Sequence, residues 1–173
     1  MRIVGISGVW REDDPLWDTL GPAFLQEYPE ATFVSEVEFV HPWDTVRLRA
    51  RRDRIVEKYD DGEKTIFVGH SMGGPVACGS AQRFERSCVL GIVTIFSPHK
   101  YFYGEYLTRL EADGPLPAPI ITFGARLDPL VPWGTRHPDS IRHEMLWAEH
   151  RFALLYNVGG IADHIARVSR KTF

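Results

Sequence analysis

The sequence predicts an α/β protein, a three-layer sandwich of about six mostly parallel strands flanked by helices. Apolar runs of strand length alternate with helix-length amphipathic segments, the pattern of a parallel sheet covered on both faces. The 173 residues suit a single domain, 1–173, long enough to bury a sizeable core. A hydrophobic content of 44% with 25% charged residues is that of an ordinary globular chain, which excludes a disordered tail, a collagen-like chain and a disulfide miniprotein.

The first strand is read over Arg2 to Ser7. A helix follows from Pro15 to Tyr28, because Leu16, Leu20, Phe24 and Tyr28 recur at i, i+4 spacing; Gly21-Pro22 is a point where it could kink. The second strand lies in Thr32 to Val40, with Phe33, Val37 and Phe39 as its apolar members. Thr45 to Tyr59 forms a helix burying Leu48, Ile55 and Tyr59, stopped by Asp60-Asp61-Gly62. Thr65 to Gly69 is a short buried strand, Gly73 to Phe84 a helix, and Val89 to Phe96 the most hydrophobic strand. Residues 98–118 are irregular and Pro-rich, with room for a helix over Tyr103 to Leu110. Pro119 to Phe123 and Glu144 to Glu149 supply the last two strands. The closing helix runs from Gly160 to Arg170 with Ile161, Ile165 and Val168 inward, its basic residues at the dipole-negative end.

Composition removes several classes of function. Twenty Lys and Arg against 23 Asp and Glu leave a net charge of −3, so nothing global calls for a nucleic-acid partner or an anionic membrane. The basic stretch Arg47, Arg49, Arg51, Arg52 and Arg54 is mixed with Asp44, Asp53 and Glu57 and reads as a solvated helix face. Cys78 and Cys88 read as reduced, half-buried thiols. The apolar run at the N-terminus is too short for a signal peptide, and no run is long enough to span a bilayer. No integral membrane association and a cytoplasmic location are therefore expected. No HExxH, GxGxxG or P-loop is present, so neither a metal nor a cofactor is expected.

Gly69-His70-Ser71-Met72-Gly73-Gly74 is the most informative segment. It matches G-x-S-x-G and joins a buried strand directly to a helix, the setting of a nucleophile elbow. A serine on so tight a turn has strained backbone angles, and glycines two positions either side relieve the crowding. A tightly packed strand-helix turn without chemistry would use the same glycines. At these residues the chain resembles the α/β-hydrolase family, in particular its small lipases and esterases, whose elbow commonly reads GHSMGG or GHSLGG. The resemblance implies a minimal form of that fold, with the two leading strands absent. The segment between the strands ending at Phe96 and starting at Pro119 is too short for a large cap domain.

The family orders its triad Ser, acid, His. In Gly124-Ala125-Arg126-Leu127-Asp128-Pro129-Leu130-Val131-Pro132, which is similar to the family's acid loop, Asp128 is the candidate; Asp113 and Asp139 follow no buried strand. His150 is the candidate base, in the loop between the last strand and the last helix, with His143 and His164 as alternatives. The backbone N–H groups of Met72 and Val9 are the expected oxyanion donors, Val9 through the loop Ser7-Gly8-Val9-Trp10. Trp10, His99, Phe102 and Trp133 are expected around the substrate, unless these aromatics only fill the core.

The resemblance implies a serine hydrolase that cleaves a carboxylic ester or thioester through an acyl-enzyme, with a small-molecule ester or acyl substrate as its partner. The alternatives are a non-catalytic binding protein of the same fold, and an amidase or peptidase using the same triad.

Overall fold

A computed structural model describes residues 1–8, 16–42, 44–99, 115–131, 135–148 and 158–173. In chain order the elements are β1 (Arg2–Ile6), α1 (Leu16–Glu27), β2 (Thr32–Glu36), α2 (Thr45–Tyr59), β3 (Thr65–His70), α3 (Gly73–Arg83), a 3₁₀ turn (Arg86–Cys88), β4 (Val89–Ile95), β5 (Ile120–Ala125), β6 (Ser140–Leu146) and α4 (Val158–Thr172). The strands form one sheet in the order β2-β1-β3-β4-β5-β6. Every neighbouring pair in it is parallel.

The alternation of side chains along each strand builds two cores. Ile3, Ile66, Val68, Val93, Ile121 and Phe123 face α1 and α4, where Leu16, Leu20, Phe24, Ile165 and Val168 meet them. Val4, Ile6, Phe67, Ile92 and Ile120 face the other way, onto Leu48 and Ile55 of α2 and Val76, Ala77 and Ala81 of α3. Each strand in the middle of the sheet thus contributes to both layers, and its sequence reads as a continuous apolar run. The side chain of Asp44 caps α2 by accepting from the Arg47 N–H at 3.0 Å. Among the described residues no helix is long and apolar enough to cross a membrane.

Departures from the sequence reading lie mostly at the sheet edges. β2 stops at Glu36, and Phe39, expected inside it, is 58% exposed. β6 spans Ser140–Leu146, not Glu144 to Glu149. As an edge strand it leaves Ile141 61% exposed, and Trp147, just after it, is 77% exposed, so the apolar pattern here does not mark which residues are inside. α1 is continuous through Pro22, and α4 begins at Val158. Neither cysteine is in a disulfide and both are buried, where half-buried thiols were expected.

The reading of the arginine stretch as a solvated face needs correction. Arg51 and Arg52 are only 2% and 4% exposed. They follow Leu48 by three and four residues and precede Ile55 by four and three, so they sit on the buried stripe of α2. Arg47 and Arg54 remain at the surface.

Candidate active site

The chain runs from β1 outward to β2, then returns to β3 on the other side of β1 and continues outward in the opposite direction. The carboxyl ends of β1 and β3 therefore flank a topological switch point, the place where open α/β sheets bind ligands. Ser7-Gly8 leaves one of these ends and Ser71 the other.

Ser71 has φ +53°, in the left-handed region that an L-residue enters at a cost. Its N–H donates to the Ile95 carbonyl at 2.9 Å and its carbonyl accepts from the Gly74 N–H at 3.0 Å, so the turn is tied to β4 and to α3. The glycines are demanded by close approach. A Cβ on Gly69 would lie 2.5 Å from the Gly73 carbonyl oxygen, and one on Gly73 would strike the Ile6 oxygen and come within 2.7 Å of the Ser7 oxygen. A Cβ on Gly8 would lie 2.7 Å from Ser71 Cβ and 3.2 Å from its Oγ. The end of β1 and the Ser71 hydroxyl are thus direct neighbours. Met72 follows with helical angles, φ −61° and ψ −17°, its side chain in the core and its N–H at the start of α3.

A second non-glycine residue with left-handed backbone stands beside this turn. Phe96, at φ +50°, follows β4, donates its N–H to the Phe123 carbonyl at 2.7 Å and packs edge-on to His70.

Asp128 lies in the loop after β5 and is buried. One oxygen, Oδ1, accepts from the N–H groups of Leu130 and Val131, both at 2.8 Å, which orients the carboxylate. Asp139, the rejected alternative, is exposed. His150, Val9, Trp10, Phe102 and Trp133 lie outside the described residues.

The other histidines are accounted for differently. His99 Nε2 meets Thr94 Oγ1 of β4 at 2.9 Å. Burial, then His137 and His143, push its pKa down to about 3, so it stays neutral at pH 7. His143 Nδ1 meets Thr122 Oγ1 at 2.7 Å; burial and then Arg136 lower its pKa. His164 Nε2 pairs with Glu144 at 2.6 Å on the outer side of the sheet edge, with its side chain 45% exposed.

The fold also gathers Cys78, His99 and His137, whose ligand atoms lie within 4.8 Å of one another. No sequence spacing disclosed this, because the three come from α3, the loop after β4 and the loop before β6. His137 Nδ1 accepts the Asp139 N–H at 3.0 Å, which puts the proton of the neutral ring on Nε2. A metal bound through this ring would cost that amide its acceptor.

Sequence reasoning also missed Arg51. Its guanidinium donates to the Ser7 carbonyl at 2.9 Å, the Ser7 hydroxyl at 3.0 Å and the Glu36 carbonyl at 2.6 Å. Burial lowers its pKa to about 10, against the pull of Glu38 and Glu36, so it remains charged at neutral pH. The missed signal was its place between Leu48 and Ile55.

No family model matches the chain, and no curated protein matches it in sequence. Solved structures do match its fold. A Xanthomonas campestris protein described as a hydrolase of the alpha/beta superfamily aligns over 98% of both chains at 19% identity and a TM-score of 0.65. Est1E from Butyrivibrio proteoclasticus aligns over 99% of this chain and 87% of its own, at 10% identity and a TM-score of 0.68. An esterase from Pyrobaculum calidifontis aligns over 98% and 76%, at 16% identity and a TM-score of 0.63. The chain has the α/β-hydrolase fold. At these identities the likeness concerns the fold, and the chemistry has to be argued from the site.

Proposed function

We propose that this protein is a serine hydrolase that cleaves a carboxylic ester or thioester through an acyl-enzyme, with Ser71, Asp128 and His150 as its triad. The observation that carries the reading is the backbone of Ser71. A buried serine held at φ +53° between β3 and α3, at the switch point of the sheet and against Gly8, is strain without a packing purpose.

In the proposed reaction His150 takes the Ser71 proton as Oγ attacks the acyl carbon. Asp128, oriented by the loop amides on its Oδ1, holds the imidazole in the productive tautomer and balances the imidazolium. The Met72 and Val9 N–H groups receive the oxyanion of the tetrahedral intermediate, which collapses as His150 returns the proton to the departing alcohol or thiol. Water, deprotonated by the same imidazole, then releases the acid. Trp10, His99, Phe102 and Trp133 are the residues proposed to bind the substrate.

A fluorophosphonate probe tests this. The native protein should be labelled at Ser71 and should turn over chromogenic esters, with a panel from two to sixteen carbons defining the acyl preference. An unlabelled native protein would leave a binding protein of the same fold. Labelling together with turnover of amides alone would leave an amidase.

A further inference from the structure

We infer that Arg51 is a positioning residue of the active site, holding the Ser7–Gly8 end of β1 in place against the Ser71 turn. This rests on the hydrolase reading above.

Three observations carry the inference. First, the guanidinium is buried and reaches across from α2 to the carboxyl ends of two strands, donating to both oxygens of Ser7 and to the Glu36 carbonyl. The carboxylates that pull on it are Glu38, at 3.9 Å from Nε, and Glu36, while its three hydrogen bonds go to neutral oxygens. Taking a cation out of water for contacts with neutral acceptors is costly, and a purely structural site would be served as well by an apolar side chain. Second, Ser7 is the residue immediately before Gly8, whose backbone abuts Ser71 Oγ. Its N–H is also bonded to the Glu36 carbonyl at 3.1 Å, so Arg51 closes a ring around the last residue before the loop. Third, the Ser7 carbonyl oxygen that Arg51 holds also lies close to Gly73, at the start of α3, where an added Cβ would come within 2.7 Å of it.

The Ser7 carbonyl is therefore fixed by the arginine and sits close against the start of α3, which holds the Ser7–Gly8 peptide beside Ser71. Only a planar, forked donor can serve three acceptors in this arrangement; an ammonium on a flexible stem cannot hold the same plane.

The test compares wild type with Arg51→Lys and Ser7→Ala on one chromogenic ester, well below the unfolding temperature. Wild type is first shown to be labelled at Ser71. Arg51→Lys keeps the charge and should still lower kcat about 10- to 100-fold, the scale of a small misplacement in a catalytic constellation, while KM changes little. Fluorophosphonate labelling should slow in parallel. Ser7→Ala removes one of the three acceptors and should lower kcat several-fold in the same way. It also carries the test if Arg51→Lys does not fold.

Folded Arg51→Lys with wild-type kcat would overturn the inference, and so would a loss confined to KM or to thermal stability. If Arg51→Lys does not fold, Ser7→Ala with wild-type kcat would overturn it too. A wild type that neither labels nor hydrolyses removes the hydrolase reading, and this inference with it. A labelled, active wild type beside an unaffected variant removes this inference alone.

Discussion

At the carboxyl end of the sheet the residues proposed for catalysis are held by backbone. Ser71 is fixed by its own left-handed φ and by amide bonds to Ile95 and Gly74, and Asp128, further along the same sheet end, by the amides of Leu130 and Val131. Along β6 comparable side chains are held by one another: His143 by the Thr122 hydroxyl, Glu144 by His164 and Arg142. The first region is buried and strained. The second is open, with the side chains of Glu144, His164 and Arg142 at 22%, 45% and 46% exposed. A His–carboxylate pair therefore marks a site only where the surrounding backbone has already fixed its geometry. Elsewhere it is a surface ion pair, worth little.

The sharpest way to break this contrast is Gly73→Val. The added Cβ meets the Ile6 and Ser7 oxygens, which are backbone and cannot swing aside. The variant should fail to fold, or lose about 10 °C or more in Tm, given about 2–4 °C per kcal/mol in a domain of this size. An unchanged Tm in differential scanning calorimetry would show that the turn is not closely packed.

Ser71→Ala comes next. It deletes one oxygen, keeps the glycines and should leave Tm within a few degrees. Ester turnover should fall by about 10⁴-fold or more, as should that of His150→Ala, since triad members act as a unit. Residual turnover of a few per cent in Ser71→Ala would remove Ser71 from the chemistry. If His143→Ala or His164→Ala inactivates the enzyme while His150→Ala does not, the triad has to be redrawn through the β6 edge.

Asp128→Asn should cost less than either loss, yet still on the order of 10³- to 10⁴-fold, by allowing the imidazole the wrong tautomer. The two amides on Oδ1 can be kept by an asparagine oxygen, so folding should survive. Turnover within a few-fold of wild type would reduce Asp128 to a turn residue of its loop.

What could be read in the sequence follows the same division. The turn at Ser71 is local: six consecutive residues specify strand end, elbow and helix start, so the sequence reveals it. Asp128 was legible through its place after a buried strand. The central strands were legible because both of their faces are covered. Contacts that join distant elements left no such trace. Arg51 meets Ser7 across 44 positions, and its cue was a helical period that a charged residue obscures. The meeting of Cys78, His99 and His137 depends on three separate elements. At the edges, β2 and β6 have one neighbour each, so exposed residues such as Phe39 and Ile141 blur where a strand starts and stops.

The smallest effect belongs to the sheet edge and tests the comparison from its other side. Glu144→Gln keeps an oxygen toward His164 but removes the charge. The pair is exposed, so its loss should cost at most about 1 kcal/mol and leave ester turnover unchanged. Its pH dependence has a definite sign. Burial alone would raise the pKa of this carboxyl, but hydrogen bonds from His164 and Arg142 outweigh it and hold the value below the ordinary 4.5. A carboxyl with a depressed folded pKa adds stability that is present above its unfolded pKa and lost as pH falls through the folded value. The Tm difference between wild type and Glu144→Gln should therefore be constant around neutrality and shrink as the pH is lowered below about 4.5. A difference that persisted at low pH would mean that Glu144 acts through packing rather than charge. Loss of turnover in a folded Glu144→Gln would place working chemistry at β6, and the distinction between backbone-held and partner-held residues would fail there.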